Sequence, residues 1–161
     1  MEDSRIDDVD RAILHHLQRD ARLTATEIGE RIGVSDTTVR NRIEALEGDG
    51  VVESYTAVVD YERAGYQRPF HFTCSVPIVD REEVARDAIA IPGVVGVTER
   101  MTGRGNLLVE AVGKHPDDVT RVARRLTELG VEVVDETVVR TTLHAPLSYL
   151  DDGEPGTESE N

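Results

Sequence analysis

Residues 70–143 carry the same residue pattern twice, and this repeat constrains the fold more than any other feature of the chain. At an offset of 37 positions Phe72 falls on Val109, Cys74 on Ala111, and Gly93 on Gly130. Hydrophobic periodicity predicts a strand, a helix and a strand in each copy: residues 70–78, 81–91 and 94–102, then 106–114, 117–129 and 132–143. Two such units in tandem predict a ferredoxin-like βαββαβ domain, whose two helices cover one face of a four-stranded antiparallel sheet.

The uncovered face of that sheet is expected to carry apolar residues from several strands. Such a face would be left in contact with water in a monomer, so we expect the chain to form a homo-oligomer, either a dimer or a larger assembly. Cys74 is the only cysteine, which excludes an internal disulfide and a cysteine-rich zinc site. It is predicted to be a small buried residue on a strand.

The N-terminal part of the chain contains two short amphipathic helices separated by a turn that begins with glycine. In the first helix Thr24 and Glu27 form the S/T-x-x-E pattern of a capping box, and Gly33 is placed to end the helix in a left-handed conformation. Ser35 is the predicted N-cap of the second helix. The buried stripe of that helix consists of Val39, Ile43 and Leu46. This is the spacing of a helix-turn-helix, which lays its second helix in a DNA groove.

The opposite face of the second helix is polar and is predicted to point outward. Asparagine can pair with adenine through two hydrogen bonds, threonine can contact thymine, and arginine can reach phosphates or guanine. The predicted DNA-binding residues are Thr24, Ser35, Thr37, Thr38, Arg40, Asn41, Arg42 and Glu44. Arg42 lies at the edge of the buried stripe, and it fits a brace against an acidic neighbour as well as a DNA contact. Helix-loop-helix segments with polar outer faces also occur in proteins that never bind nucleic acid, and this alternative stays open.

A third helix is predicted upstream, because the four apolar residues Val9, Ile13, Leu14 and Leu17 share one face. Asp7 or Asp8 is placed to cap its start. Three helices are the minimum that buries the two helices of the motif, so the fold class is α+β with a helical first domain.

Four segments follow from these patterns. Residues 1–50 are predicted to form the helix-turn-helix domain, and residues 51–69 a strand linker. Within that linker, residues 51–60 are rich in β-branched side chains, and residues 61–69 supply glycine, proline and mixed charge. Residues 70–147 are predicted to form the ferredoxin-like domain. Residues 148–161 are an acidic tail that we expect to be disordered and dispensable for folding.

The formal net charge is −14, whereas most DNA-binding domains present a basic face. Positive charge comes from 17 arginines and one lysine, Lys114, against 32 acidic residues. This composition resembles that of proteins from extreme halophiles. At roughly 1 M salt the Debye length is about 3 Å, so acidic residues would repel DNA only at close range, and groove contacts would have to supply most of the binding. An acidic surface for protein interaction is the open alternative.

Several classes of protein are disfavoured. No stretch resembles a membrane span or a secretory signal, so a cytoplasmic location without a membrane partner is expected. The five histidines His15, His16, His71, His115 and His144 show no metal-ligand spacing, so neither a metal site nor a cofactor is predicted. No Ser-His-Asp order, phosphate loop or pair of catalytic carboxylates can be singled out, so the chain is not predicted to be an enzyme. Acylphosphatase-type chemistry occurs on ferredoxin-like domains, but such an activity would leave the presence of the helical domain unexplained.

The order of motifs from Ile6 to about Leu147 resembles the Lrp/AsnC (leucine-responsive, feast/famine) family of transcriptional regulators. The stretch I-D-D-V-D-R-A-I-L at residues 6–14 is similar to the family's L-D-x-x-D-x-x-I-L. It is followed in family order by L-Q-R-D-A-R at 17–22, G-V-S-D-T-T-V-R-N-R-I-E-A-L-E at 33–47 and G-V-V-E-S-Y at 50–55. The resemblance implies a DNA-binding domain, a strand linker, and an effector-sensing domain that dimerises through its sheets and often assembles further.

The resemblance also implies that a small effector, usually an amino acid, binds between dimers near the hairpin joining the second and third strands of the sensing domain. That hairpin consists of Thr102, Gly103, Arg104, Gly105 and Asn106, where the family commonly has T-G-x-x-D with an aromatic residue before the acid. Asn106 lacks the charge that aspartate would offer to a ligand ammonium group, and Gly105 removes a stacking surface. Arg104 could bind a carboxylate. A tight glycine hairpin without a ligand is the alternative.

Together these features predict a sequence-specific DNA-binding transcription regulator whose partners are double-stranded DNA, further copies of the chain, and a small metabolite. The alternative is a ligand-sensing oligomer that acts through protein contacts without binding DNA.

Overall fold

The computed structural model describes residues 6–146, which divide into two compact units. The second unit comprises residues 58–142, and the first comprises the described residues on either side of it, 6–57 and 143–146. The first unit contains three helices: α1 (Asp8–Arg19), α2 (Ala25–Ile32) and α3 (Asp36–Gly48). The second unit contains four strands and two helices in the order β1 (Phe70–Ser75), α4 (Arg81–Ile89), β2 (Val94–Glu99), β3 (Leu107–Ala111), α5 (Pro116–Glu128) and β4 (Glu132–Val138).

The first unit is built around one apolar cluster to which all three helices contribute. Ile13, Ile28 and Val39 are completely buried, and Leu46 is nearly so. Asp7 caps α1, since its side chain accepts a hydrogen bond of 2.9 Å from the Asp10 amide. The predicted third helix is therefore confirmed, and of the two candidate caps the chain uses Asp7.

The second unit has the topology that the repeat predicts. Its sheet has the strand order β2-β3-β1-β4, and every neighbouring pair is antiparallel. The core lies between this sheet and the two helices, with Phe72, Cys74 and Val109 from strands and Val122 and Leu126 from α5. Cys74 is completely buried on β1, as predicted, and this burial raises the pKa of its thiol to about 11.

The two halves of the repeat are equivalent in space as well as in sequence. Phe72 lies opposite Val109 in the ladder between β1 and β3, so equivalent positions are direct neighbours. Gly93 and Gly130 precede β2 and β4, and both adopt left-handed backbone with φ of 100° and 79°. A residue without Cβ takes this conformation without strain, so the same turn enters both strands.

Residues 51–69 differ from the prediction. Residues 51–60 form no strand, because a strand needs a ladder partner and the described part of this chain offers none. Residues 61–69 are not a free linker either. The Tyr66 amide donates to the Tyr61 carbonyl oxygen at 2.8 Å, closing a helical turn, and the Gln67 amide donates to the Gly113 carbonyl oxygen at 2.7 Å. This segment thus belongs to the second unit.

The uncovered face of the sheet carries apolar side chains from three strands, as predicted, among a larger number of polar ones. Side chains alternate along each strand, and the alternate residues to the buried set point away from the helices. Val95 and Val134, the residues at the two register shifts, are 39% and 37% exposed and lie outside the core. The paired residues of this face are His71, Thr73, Ser75, Gly96, Thr98, Leu108, Glu110, Glu132, Asp135 and Thr137. Val95 and Val134 leave apolar surface exposed on this face, and self-association stays a prediction.

Two further expectations concern the ends of the chain and the membrane. The predicted acidic tail, residues 148–161, lies outside the described residues. Between Ile6 and Pro146 no helix has both the length and the apolar character that a membrane crossing requires.

Candidate nucleic-acid interface and effector hairpin

The outward face of α3 presents polar side chains that are free to contact another molecule. Thr37, Asn41 and Glu44 are exposed and follow one another at helical spacing. The Thr37 hydroxyl makes only a long contact of 3.5 Å with Asp36 Oδ1. The side chains of Asn41 and Glu44 form no hydrogen bond with any other residue of the described range. These three groups can therefore meet the edges of bases without first giving up a partner.

Three of the other predicted DNA-binding residues use their hydroxyl groups to form the motif itself. Thr24 Oγ1 accepts from the Glu27 amide at 3.2 Å and donates to Glu27 Oε2 at 2.7 Å. The return bond from the Thr24 amide is the main reason that the pKa of Glu27 is lowered. Ser35 Oγ caps α3 by accepting from the Thr38 amide at 3.1 Å, and it also bonds the Thr38 hydroxyl at 2.8 Å. Thr24, Ser35 and Thr38 thus shape the helix starts.

The two arginines of α3 are both held by carboxylates. Arg40 pairs with Asp36 on the surface, at 3.2 Å and one turn away on the same helix. Arg42 Nη1 lies 2.7 Å from Asp7 Oδ2 and 3.3 Å from Asp10 Oδ2, so it joins α3 to the start of α1. The pKa of Asp7 is lowered, mainly by the hydrogen bond from the Asp10 amide and further by Arg42. Of the two roles left open for Arg42, the geometry fits the brace.

Two residues that matter for the motif were not identified in the sequence. Gly29, inside α2, faces the turn, and a Cβ built there would lie 2.6 Å from the Val34 carbonyl oxygen. A glycine inside a helical pattern is the signal that could have revealed this close approach. Tyr55 donates to Glu47 Oε1 at 2.8 Å and ties the following segment to the end of α3. Burial, followed by this bond, raises the pKa of Tyr55 to about 12.

In the second unit the hairpin between β2 and β3 is anchored at its base. Asn106 is completely buried, and its side chain accepts from the Val76 amide at 3.0 Å and donates to the Val76 carbonyl oxygen at 2.9 Å. Gly105 has a φ of 64°, and its amide donates to Ser75 Oγ at 2.9 Å. Both residues hold the hairpin to the end of β1, so the Asn106 side chain is not available to a ligand.

The tip of the hairpin is accessible. Thr102, Gly103 and Arg104 are exposed, and the Thr102 hydroxyl donates to the Arg104 carbonyl oxygen at 3.2 Å. Arg104 Nη2 lies 3.5 Å from Glu132 Oε1, and both side chains are more than half exposed. A cation and an anion therefore stand side by side at this end of the sheet.

Arg81 also holds the hairpin in place, and the sequence did not single it out. From the first turn of α4 its Nε donates to Glu99 Oε2 at 2.9 Å, and Nη1 donates to the Arg100 carbonyl oxygen at 3.1 Å. The hairpin is thus fixed to α4 as well as to β1. As for metals, residues 6–146 contain no group of three histidine, cysteine or acidic residues placed to hold an ion.

Comparison with known proteins identifies the family. The AsnC-type helix-turn-helix domain matches residues 6–47. The HTH-type transcriptional regulator FL11 of Pyrococcus furiosus is 31% identical over 114 residues, which are 71% of this chain and 75% of that protein. Another HTH-type transcriptional regulator of the same organism is 31% identical over 141 residues, which are 86% of this chain and 91% of that protein.

Solved structures agree with these relatives. The leucine response regulatory protein LrpA of Mycobacterium tuberculosis superposes with a TM-score of 0.73 and 21% identity, covering 88% of this chain and 97% of that one. A transcriptional regulator of Neisseria meningitidis in complex with L-methionine superposes with a TM-score of 0.71 and 26% identity, covering 88% of this chain and 96% of that one. Because the relatives are regulators, the prediction that the chain is not an enzyme is confirmed. The chain belongs to the Lrp/AsnC family of DNA-binding transcriptional regulators.

Proposed function

We propose that this regulator distinguishes DNA sequences through the outward face of α3. Thr37, Asn41 and Glu44 supply hydroxyl, carboxamide and carboxylate groups that can contact base edges in the major groove. The observation that carries this proposal is that Asn41 and Glu44 form no hydrogen bond with other described residues and Thr37 makes only a long one. The five other predicted DNA-binding residues, by contrast, are engaged within the motif or with α1: Thr24, Ser35, Thr38, Arg40 and Arg42. Two such helices in a homo-oligomer would read a palindromic site.

Asn41 gives the sharpest test of base readout. The full chain is first used to select preferred duplexes from a random pool, and affinity is then measured for the selected and a shuffled sequence. For Asn41→Ala we expect the preference to fall by about 1–3 kcal/mol, because one bidentate base contact is lost. Thr120→Ala, which truncates an exposed residue of α5, is the matched control and keeps the preference. If the wild type selects no sequence, or if Asn41→Ala discriminates as well as it, the regulator does not read bases through α3.

We infer that the second unit responds to a small metabolite, with an amino acid as the first candidate. The Neisseria meningitidis relative in complex with L-methionine supports this class of effector. Arg104 suits the ligand carboxylate, and Glu132 beside it offers the negative charge for an ammonium group that Asn106 lacks. Repeating the affinity measurement with added L-methionine extends the same experiment to the effector, and Arg104→Gln should remove any response.

Homo-oligomerisation is the remaining part of the proposed function. An association through the uncovered face of the sheet would bury the exposed Val95 and Val134 and would also have to pair the polar groups around them. His71 Nε2 and Glu110 Oε2, 3.7 Å apart on neighbouring strands, exemplify the groups that such an interface would have to satisfy.

A further inference from the structure

The helical layer of the second unit has a groove beside α4 that no function described so far uses. Two cavities of about 400 and 420 Å³ adjoin there and share Asp87 and Leu129 in their walls. Their apolar lining comes from Val84 and Ile91 on one side and Leu129 on the other, with a proline, Pro77 or Pro92, in each cavity. The floor of the groove is therefore formed by apolar side chains that also pack against the core, and charged residues stand around it.

One edge of this groove carries uncompensated negative charge. Asp80, Glu83 and Asp87 lie three or four residues apart, so they project from the same side of α4. None of the three forms an ion pair with another residue of the described range. The one cationic side chain in the lining, Arg125, is already paired with Glu128 at 2.9 Å.

Two other acidic residues around α4 do form ion pairs. Glu82 is paired with Arg86 on the same helix, and Glu99 is paired with Arg81 at 2.9 Å. Near α4, three unpaired carboxylates thus stand in a row along the groove. An apolar floor beside a row of free carboxylates is complementary to a helix with one apolar face and basic residues along its border.

We propose that this groove is a docking surface for a basic amphipathic helix of another protein. The nine residues of α4 span about 14 Å at 1.5 Å per residue, which accommodates two to three turns of a partner helix. DNA does not fit, because the carboxylates would repel phosphates. A second copy of the chain does not fit either. Its described helices already bury their apolar faces in the two cores, and its net charge is −14.

The test uses the full chain and two synthetic peptides of identical composition. One peptide places leucines on one helical face with lysines along the border, and the other has the same residues in scrambled order. Binding is followed by fluorescence anisotropy in about 0.15 M potassium chloride, where the Debye length is about 8 Å. We expect the amphipathic peptide to bind about tenfold more tightly than the scrambled one, because only it places apolar and basic groups together.

Charge removal at the groove separates specific docking from general attraction to an acidic protein. The triple variant Asp80→Asn/Glu83→Gln/Asp87→Asn should weaken binding of the amphipathic peptide about tenfold, since exposed ion pairs contribute modestly each and three are lost. The control triple Glu30→Gln/Glu53→Gln/Asp117→Asn removes the same charge from other exposed positions and should change binding less than about twofold. Circular dichroism verifies that both variants are folded.

Four results would overturn the proposal. They are equal binding of the two peptides, equal weakening by the two triple variants, no binding up to about 1 mM peptide, and loss of self-association in the groove variant. The last of these, measured by sedimentation, would assign the groove to contacts between copies of this chain. The DNA-binding measurements with Asn41→Ala are independent of all four.

Discussion

At the scale of single residues, Arg42 illustrates how a side chain within a DNA-binding helix comes to support the fold instead. Its guanidinium group lies between Asp7 and Asp10, and the Asp10 side chain is only 7% exposed. A carboxylate so far from water is costly unless a cation or hydrogen-bond donors compensate it. The Asp10 carboxylate obtains that compensation from Arg42 and from the Asp7 amide.

Replacing Arg42 should therefore reduce stability more than an exposed arginine would. For Arg42→Gln we expect the free energy of unfolding to fall by about 1–3 kcal/mol, because a buried carboxylate loses its charged partner. Urea denaturation of the full chain measures this. Arg40→Gln is the matched control from the same helix, and the loss of its exposed pair with Asp36 should cost less than about 1 kcal/mol. Equal losses in the two variants would show that Arg42 is no brace.

Asn106 shows that a motif can predict a residue's place in the fold without predicting its contacts. In the sequence it is a departure from a family pattern at a candidate ligand position. In the structure both polar atoms of its side chain pair with the backbone of Val76, 30 residues away. No local pattern indicates a partner at that distance, so its burial could not be anticipated.

At the scale of elements, the helix starts depend on ionised carboxylates. Asp118 Oδ2 accepts from the amides of Lys114 and His115, at 2.9 and 3.0 Å, at the beginning of α5. These bonds, the one from His115 first, hold the pKa of Asp118 below its usual value, and backbone amides lower the pKa of Asp7 and Glu27 in the same way. Because the folded state favours the ionised form, the stabilisation is complete above the ordinary carboxyl pKa and is lost as the pH falls through the lowered value.

Asp118→Asn should remove the part of this acid dependence that belongs to α5. We expect the variant to be less stable than the wild type near neutral pH. The difference should shrink as the pH falls from about 4 through the lowered pKa of Asp118, below which the folded wild type is protonated there as well. Chemical denaturation at a series of pH values measures the difference. Asp117→Asn changes charge in the same turn without removing either capping bond, so its difference from the wild type should stay small. A gap between wild type and Asp118→Asn that does not change with pH would contradict this account.

Features that depend on residues close in the sequence could be predicted, whereas features that need a partner far along the chain could not. The caps at Thr24 and Ser35 and the left-handed Gly33 lie within a few residues of the groups they satisfy, and all three are confirmed. Residues 51–60 have strand-forming side chains, yet no strand forms where no partner is present. The many polar groups of the uncovered face were not anticipated because they depend on how four separate strands align, and two irregularities in register, near Val95 and Val134, lie within that sheet.

At the scale of the whole molecule, the pairing of arginines with carboxylates leaves few cations to neutralise DNA phosphates. The described part of the first unit contains six arginines: Arg11, Arg19, Arg22, Arg31, Arg40 and Arg42. Arg11, Arg40 and Arg42 are paired with carboxylates. Within the described residues, the three others form no ion pair and remain available for phosphates. Few counterions would therefore be released when a copy binds.

Affinity for the selected duplex should consequently depend only weakly on salt. Each neutralised phosphate contributes about −0.9 to the slope of log affinity against log salt. Three available arginines therefore give a slope no steeper than about −3 per bound copy. Titrations across a series of potassium chloride concentrations measure this slope. Arg31→Gln should reduce its magnitude by about 1 if Arg31 reaches a phosphate, whereas Arg40→Gln should leave it unchanged. A slope steeper than about −6 per copy would mean that the carboxylates release their arginines to DNA, so that the ion pairs of α3 describe the free protein alone.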